Sequence, residues 1–136
     1  MSIKLNRKKR TAQQKNTSKL EPSDLYYASI AAKAAEEKKA EDILLLDVSR
    51  LSTISDYFLI VTARSTPQIE AIARHVEEKL SIVNYKLISK EGFIASNWVV
   101  LDFGNLVVHI MNETERNYYK LERFWSNAII INNKLK

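Results

Sequence analysis

The sequence predicts an α/β (α+β) fold, in which helices pack on a single mixed β-sheet of about five strands. Stretches rich in β-branched and aromatic residues alternate with stretches of helical apolar spacing along most of the chain. In addition, two β-rich runs flank Gly104 and Asn105, a pair that is typical of a tight hairpin turn. Because the chain has 136 residues, of which 46% are hydrophobic, it is long enough for one domain with a real core.

The first part of the chain divides into a basic arm and a helix. Residues 1–22 form the predicted arm, which is polar and non-periodic and is therefore expected to be disordered. Ser23 can cap a helix that runs to about Ala40, and the apolar face of this helix is mostly alanine. We therefore expect the helix to pack closely against a flat surface, and we place the α/β domain at residues 23–127 and a tail at 128–136.

Three strands and one amphipathic helix are predicted next. The strands are expected at Ile43–Val48, Tyr57–Thr62 and Tyr85–Ile88. Between the last two, Ser65 and Gln68 have capping-box spacing, and the apolar residues after them recur at i, i+3, i+4, i+7 and i+11. This order of strand, helix and strand predicts a right-handed crossover connection.

The hairpin around Gly104 and Asn105 has a register that its two-residue loop fixes. One of its faces is wholly apolar and is expected to face the core. The other face is mixed, because it carries Trp98, Asp102 and His109 among small apolar side chains. Two interpretations of the mixed face stay open. It is either a second buried face, with Asp102 and His109 satisfied internally, or a partly exposed recognition surface with Trp98 as an anchor.

A last helix is predicted from about Thr114 to Ser126. Its helical spacing gives a stripe of Tyr118, Leu121 and Trp125, which is expected to face the core. The chain contains no internal repeats.

Charge is unevenly distributed over the chain, whose net charge is +5. Residues 1–20 contain seven Lys or Arg and no acid, so the remainder has 14 basic and 16 acidic residues, a net charge of −2. A basic arm and a mildly acidic domain should attract different partners. The arm has three interpretations: a solvated tail without a role, a segment that binds nucleic-acid phosphates, or a transit peptide.

The composition argues against several classes of site. No cysteine is present, which removes disulfides, thiol nucleophiles and thiolate metal sites and fits a reducing compartment. The chain has only two glycines and no His-Glu-x-x-His motif, and Asp47, Asp56 and Asp102 are isolated rather than paired. We therefore predict no catalytic residue, no metal and no cofactor. The apolar runs are also too short to span a membrane.

Several short motifs between Leu25 and Trp125 carry a family resemblance. They are Asp42-Ile43 with Asp47-Val48, Ser55-Asp56-Tyr57-Phe58, Ile60-Val61, Ser65 with Gln68, Ala71-Ile72-Ala73, Glu91-Gly92, the run from Trp98 to Gly104, the run from Val107 to Ile110, and Arg116, Tyr118-Tyr119, Leu121-Glu122 and Trp125. With these motifs the chain resembles the ribosomal silencing factor family, which is also called Iojap or RsfS. The hairpin and the last helix together are the most specific part.

The resemblance implies a fold related to nucleotidyltransferases but without their catalytic residues, so we expect no enzyme activity. It also implies a partner, the large ribosomal subunit, bound through its universal protein fourteen at the inter-subunit face. There, members of the family obstruct joining of the small subunit and repress translation. A part in large-subunit maturation and, in some members, a homodimer are implied as well. The implied compartment is a bacterial-type cytoplasm, with a plastid or a mitochondrion as the alternatives.

The hairpin face and the resemblance together predict a set of partner-binding residues. These are Trp98, Asp102, His109, Glu115, Arg116 and Tyr119, followed by Asp56 and Tyr57. Two positions depart from the family pattern. Ala63 stands where Gly is usual, so the turn there should be adjusted; Asn105 stands where Asp is usual, which should lower affinity if that Asp meets a basic residue of the partner. The alternative functions are a nucleotidyltransferase-like enzyme, and a ribosome-assembly or RNA-binding module that uses the basic arm.

Overall fold

The computed structural model describes residues 23–92, 97–124 and 128–131. Within these ranges it contains six strands and four helical segments. In chain order they are α1 (Asp24–Glu37), β1 (Glu41–Asp47), β2 (Tyr57–Ala63), α2 (Thr66–Ile82), β3 (Ser89–Glu91), β4 (Trp98–Asp102), β5 (Leu106–Asn112), α3 (Glu113–Tyr119), α4 (Leu121–Phe124) and β6 (Ile129–Ile130). The predicted arm at residues 1–22 and Trp125 lie outside the described residues.

The strands form one mixed sheet in the order β3-β4-β5-β2-β1-β6. Only the pair of β2 and β5 is parallel, and the other neighbouring strands are antiparallel. The predicted fold class is therefore confirmed. The sheet has one strand more than expected, because the two residues of β6 pair with the end of β1.

The hairpin of β4 and β5 has the predicted register. Trp98 lies opposite Met111, Val100 opposite His109, and Asp102 opposite Val107. The connection from β2 through α2 also leads to a strand of the same direction, but this strand is β3 rather than Tyr85–Ile88. Tyr85 is instead buried in the core, where its ring stacks on that of Tyr27 with 4.1 Å between centroids. Its apolar surface is used for packing, and the strand begins four residues later.

Helices α1 and α2 cover one face of the sheet, and both begin where the sequence predicts. Ser23 caps α1 by accepting a hydrogen bond from the Tyr26 N–H, and Ser65 caps α2 by accepting one from Gln68. Five alanines of α1 are buried, which confirms a close approach of this helix to its neighbours: Ala28, Ala31, Ala32, Ala34 and Ala35.

The other face of the sheet is buried at its centre as well. A second apolar cluster lies there, and α4 contributes Leu121 to it. Its other members are the strand residues Leu46, Phe58, Ile60, Val100, Val107 and Met111, and Val48, which follows β1. His109 and Asp102 lie on this face and are buried too, whereas Trp98 is half-buried. Of the two interpretations of the mixed hairpin face, the buried one is therefore correct for all of it except the end at Trp98, although His109 is not fully satisfied, since its Nε2 has no hydrogen-bond partner among the described residues.

The last predicted helix is interrupted. Asn112 caps α3 by accepting a hydrogen bond from the Glu115 N–H, but α3 ends at Lys120, which has a left-handed φ of +49°. A separate turn, α4, then follows. The expected stripe consequently fails at Tyr118, which is 78% exposed, although Leu121 is buried. A left-handed residue breaks the helical period, so side chains before and after it no longer share one face.

Among the described residues, no helix has both the length and the apolar character that crossing a membrane requires.

Candidate partner-binding surface

The predicted partner-binding residues do not form one surface. Trp98 and Asp102 are the two ends of β4, so roughly 13 Å of extended strand separates them. Tyr119 lies at the Trp98 end, whereas Asp56 and Tyr57 lie beside the hairpin turn at the Asp102 end. The two ends of the hairpin therefore have to be considered separately.

The Trp98 end carries a group of aromatic side chains that reaches the solvent. The ring of Trp98 lies 4.9 Å from that of Tyr119 at an interplanar angle of 49°, and Tyr119 makes an edge contact with Tyr118 at the same distance. Tyr119 is 43% exposed. We call Trp98, Tyr118 and Tyr119 the aromatic patch. Tyr118 was missed as a site residue because its spacing predicted a place in the core.

His109 lies beneath the aromatic patch. Its side chain is fully buried, and Nδ1 accepts a hydrogen bond from the Trp98 indole Nε1–H at 3.2 Å. Burial lowers the pKa of His109 to about 3, so the ring is neutral at physiological pH, with its proton on Nε2. Direct contact between His109 and a partner would require this face of the sheet to open. In the folded protein, His109 contacts the aromatic patch through Trp98.

Gly92, at the end of β3, is a second support for Trp98. Its φ of +123° is one that other residues rarely adopt, and a Cβ atom there would lie 2.9 Å from the Trp98 carbonyl oxygen. The backbone at Gly92 can thus approach β4 closely where the aromatic patch begins. Gly92 and Trp98, six residues later, both contributed to the family resemblance, but nothing in the sequence indicated that their backbones meet.

Arg116 anchors α3 to the sheet rather than pointing outwards. Its guanidinium donates to Thr62 Oγ1 at 2.9 Å and to the Asp42 carbonyl, and it pairs with Glu122 at 3.3 Å. Arg116 itself is buried. Glu115 is half-buried at the start of the same helix, where its N–H is used in the cap. Both residues fix the helix that carries Tyr118 and Tyr119.

The turn end of the hairpin is held together by internal hydrogen bonds. Asp102 Oδ1 accepts from the Gly104 N–H at 2.9 Å, and the Asn105 carbonyl accepts from the N–H groups of Asp56 and Tyr57. Asp102 and Asp56 are both buried. The pKa of Tyr57 is raised, mainly by burial and further by the nearby carboxylates. This end therefore offers less side-chain surface to a partner than the aromatic patch does.

The two departures from the family pattern are both accommodated. Ala63 is the last residue of β2, opposite Asn112, and its φ is not positive, so the expected adjustment of the turn is not needed. Asn105 is 1% exposed, and its Nδ2 donates to Asp24 Oδ2 at 3.1 Å. The side chain of Asn105 thus faces the interior of the protein, so it is not placed to touch a partner.

Within the ranges that the structure describes, no three His, Asp or Glu side chains are grouped so that they could hold a metal ion. What the described residues do define is an α/β domain with one mixed sheet, both faces of which are buried at the centre, and an aromatic patch at one end of a hairpin.

Comparison with known proteins identifies the family. The model of the family described as "Ribosomal silencing factor during starvation" matches residues 21–136. The chain therefore belongs to the ribosomal silencing factor (RsfS) family, as its motifs predicted, and its general role is that of a ribosomal silencing factor.

Two relatives illustrate the range of the family. The ribosomal silencing factor RsfS of Bacillus subtilis (strain 168) is 42% identical over 99 residues, which cover 73% of this chain and 84% of the relative. The chloroplastic protein Iojap of Zea mays is 40% identical over 107 residues, which cover 76% of this chain and 45% of that protein.

Solved structures show the same fold. A crystal structure of a Chromobacterium violaceum protein superposes with a TM-score of 0.75 at 31% identity and covers 77% of this chain and 88% of its own. A crystal structure from Bacillus halodurans gives a TM-score of 0.67 at 33% identity, with coverage of 74% and 94%.

Proposed function

We propose that this protein binds the large ribosomal subunit through its universal protein fourteen, at the inter-subunit face, and thereby prevents joining of the small subunit. The mechanism is steric: a bound domain occupies volume that the small subunit needs, and translation is repressed without any chemical step. Membership of the silencing factor family supports the role. The proposal places the protein in a compartment that translates, which is a bacterial-type cytoplasm or, alternatively, a plastid or mitochondrion.

The aromatic patch is the observation that connects the proposal with particular residues. Tyr and Trp side chains often dominate binding energy at protein interfaces, because they bury a large area while few torsion angles have to be fixed. Tyr118 and Tyr119 are exposed on α3, and Trp98 supports them from the sheet. We assign direct contact with the ribosomal protein to these three residues.

Charge supports a protein partner for the domain and an RNA partner for the arm. Residues 21–136 carry a net charge of −2, which favours a basic protein over bare RNA. The seven basic residues at 1–20 suit ribosomal RNA, since Lys and Arg gain affinity there by releasing counterions. The two parts would then contribute separately to ribosome binding.

The proposal is tested by mixing the protein with isolated large subunits, adding small subunits, and measuring the joined ribosomes by sedimentation. We expect saturating wild-type protein to suppress joining. Tyr119→Ala should weaken binding to large subunits on the order of tenfold, because it removes the centre of the aromatic patch. The matched control is Tyr26→Ala, since Tyr26 is 47% exposed on α1, on the opposite side of the sheet.

Two results would contradict the proposal in different ways. Undiminished joining at saturating wild-type protein would overturn the steric mechanism. Equal binding by Tyr119→Ala and Tyr26→Ala would show that the aromatic patch is not part of the interface. Deletion of residues 1–22 provides the third comparison. If full-length protein binds with a steep salt dependence and the deletion alone abolishes cosedimentation, the arm rather than the domain binds the ribosome.

A further inference from the structure

The mixed face of the hairpin contains a buried histidine that has no direct part in the proposed steric mechanism. We infer that His109 is a positioning residue, which holds the Trp98 indole in the orientation that the aromatic patch presents to its ribosomal protein partner. The effect on ribosome binding rests on the proposed function. The positioning of Trp98 by His109 does not, because it can be observed in the isolated protein.

Geometry supports this role. Trp98 is half-buried at the start of β4, and the one polar group of its side chain, the indole N–H, donates to His109 Nδ1 at 3.2 Å. His109 is fixed in turn, because it is fully buried in the middle of β5 and its ring lies 5.2 Å from that of Phe58. A hydrogen bond to an immobile acceptor restricts the rotation of the indole ring more than apolar contact does.

The choice of a histidine at this buried position needs an explanation. Its Nε2 is buried and has no hydrogen-bond partner in the described part of the chain, and burying an unpaired polar group is unfavourable. A phenylalanine of similar size would avoid that penalty. The property that histidine has and phenylalanine lacks is an acceptor at Nδ1, which is the atom that Trp98 uses.

The restriction passes from His109 to the surface through ring contacts. Trp98 lies against Tyr119, and Tyr119 lies against Tyr118, with 4.9 Å between the centroids in each pair. When the Trp98 indole is held in one orientation, Tyr119 always packs against the same surface. A preorganised patch loses less conformational entropy on binding, so fixing Trp98 should increase affinity.

Three variants separate the hydrogen bond from packing. His109→Phe keeps a ring of similar size but removes the acceptor, whereas His109→Asn has a smaller side chain that can place an oxygen near the position of Nδ1. The matched control is Val76→Ala, which creates a cavity in the other core, where α2 covers the opposite face of the sheet. All three are compared with the wild-type full-length chain.

The first readout is the NMR signal of the Trp98 indole N–H, which Trp98→Phe assigns, together with its rate of hydrogen exchange. We expect His109→Phe to shift this signal and to accelerate exchange at least tenfold, and His109→Asn to restore much of the protection. Val76→Ala should leave the signal in place. An unchanged indole signal in His109→Phe would overturn the positioning role. If that variant does not fold, His109→Leu, which also lacks an acceptor, takes its place, and an unchanged indole signal there would overturn the role.

The second readout is affinity for isolated large ribosomal subunits. His109→Phe should weaken binding on the order of tenfold and more than Val76→Ala does, with partial recovery in His109→Asn. Equal weakening by His109→Phe and Val76→Ala would mean that His109 affects stability only, which would overturn the inference. Failure of the wild-type protein to bind would instead overturn the proposed function, and the indole signal would still decide whether His109 orients Trp98.

Discussion

Asn105 is a residue whose role changed from a contact with a partner to a contact within the protein. The sequence placed it in the hairpin turn, at a position expected to affect affinity if the usual Asp meets the partner, whereas the structure buries it and pairs its amide with the Asp24 carboxylate. The same carboxylate accepts a hydrogen bond from the Tyr85 hydroxyl at 2.9 Å. An Asp at position 105, the residue expected there from the resemblance, would here place two carboxylates side by side.

Asn105→Asp is therefore expected to lower the free energy of unfolding at pH 7 by about 1–3 kcal/mol, because it replaces a hydrogen bond with like-charge repulsion. The repulsion raises the pKa of the introduced carboxyl in the folded state. The penalty should consequently grow as the pH rises above about 4 and disappear at lower pH, where the unfolded chain is protonated too. Urea unfolding at several pH values measures this dependence.

The control for this prediction exchanges the two groups. In Asp24→Asn combined with Asn105→Asp, the amide and the carboxylate change places, so one donor again faces one acceptor. We expect the double variant to recover most of the lost stability. If it is less stable than the single variant, the pair does not account for the effect of Asn105→Asp.

At the scale of secondary-structure elements, prediction succeeded where the signal is local. The start of α2 follows from Ser65 and its capping geometry, and the hairpin register follows from a two-residue turn at Gly104. The break at Lys120 was not predictable, because a lysine in a left-handed conformation has no sequence signal of its own. Tyr85 misled the prediction of a strand, since its apolar ring serves the core equally well from a loop.

The short helix α3 depends on Arg116, because seven residues are too few for a helix to be stable alone. Arg116→Met should lower the free energy of unfolding by roughly 2–3 kcal/mol, since Thr62, the Asp42 carbonyl and Glu122 all lose a charged donor. Thr62→Val removes only one of these contacts and should cost about 1 kcal/mol. Urea unfolding measures both values.

Hydrogen exchange tells whether the loss is local to α3. Exchange of the amides in Glu113–Tyr119 should accelerate in Arg116→Met. Exchange in α2 should change only by the amount that the lower free energy of global unfolding accounts for. Arg116→Lys retains the charge but not the planar guanidinium, so it should behave more like Arg116→Met than like wild type. Equal destabilisation by Thr62→Val and Arg116→Met would contradict the anchoring role.

At the scale of the whole molecule, the sheet decides which of the predicted site residues reach the surface. The sequence showed that Trp98, Asp102 and His109 share one hairpin face, and this is confirmed. It did not show that the same face is covered, because burial depends on Phe58 from β2, 40 residues before Trp98, and on Leu121, whose position follows the break at Lys120. The aromatic patch was found only in part, through Trp98 and Tyr119, because the helical spacing of Tyr118 predicted a place in the core.

Burial of a neutral histidine makes the stability of the whole domain depend on pH. The pKa of His109 is about 3 in the folded protein, against an ordinary value of 6.5, because burial disfavours the charged ring. Between these values the unfolded chain binds more protons than the folded protein does. The contribution of His109 to the free energy of unfolding is therefore fully present above pH 6.5 and falls as the pH decreases, by up to about 1.4 kcal/mol per pH unit. We expect a loss of roughly 2 kcal/mol from this group between pH 7 and pH 5.

Carboxylates also contribute to acid destabilisation, so the effect of His109 has to be isolated by difference. His109→Asn cannot titrate in this range, and its free energy of unfolding is compared with that of the wild type in urea at pH 7 and pH 5. Because the carboxylates are common to both proteins, the gap between them should narrow by roughly 2 kcal/mol on acidification. A constant gap would mean that His109 is protonated as readily in the folded protein as in the unfolded chain. That result is incompatible with a fully buried ring that accepts a hydrogen bond from Trp98.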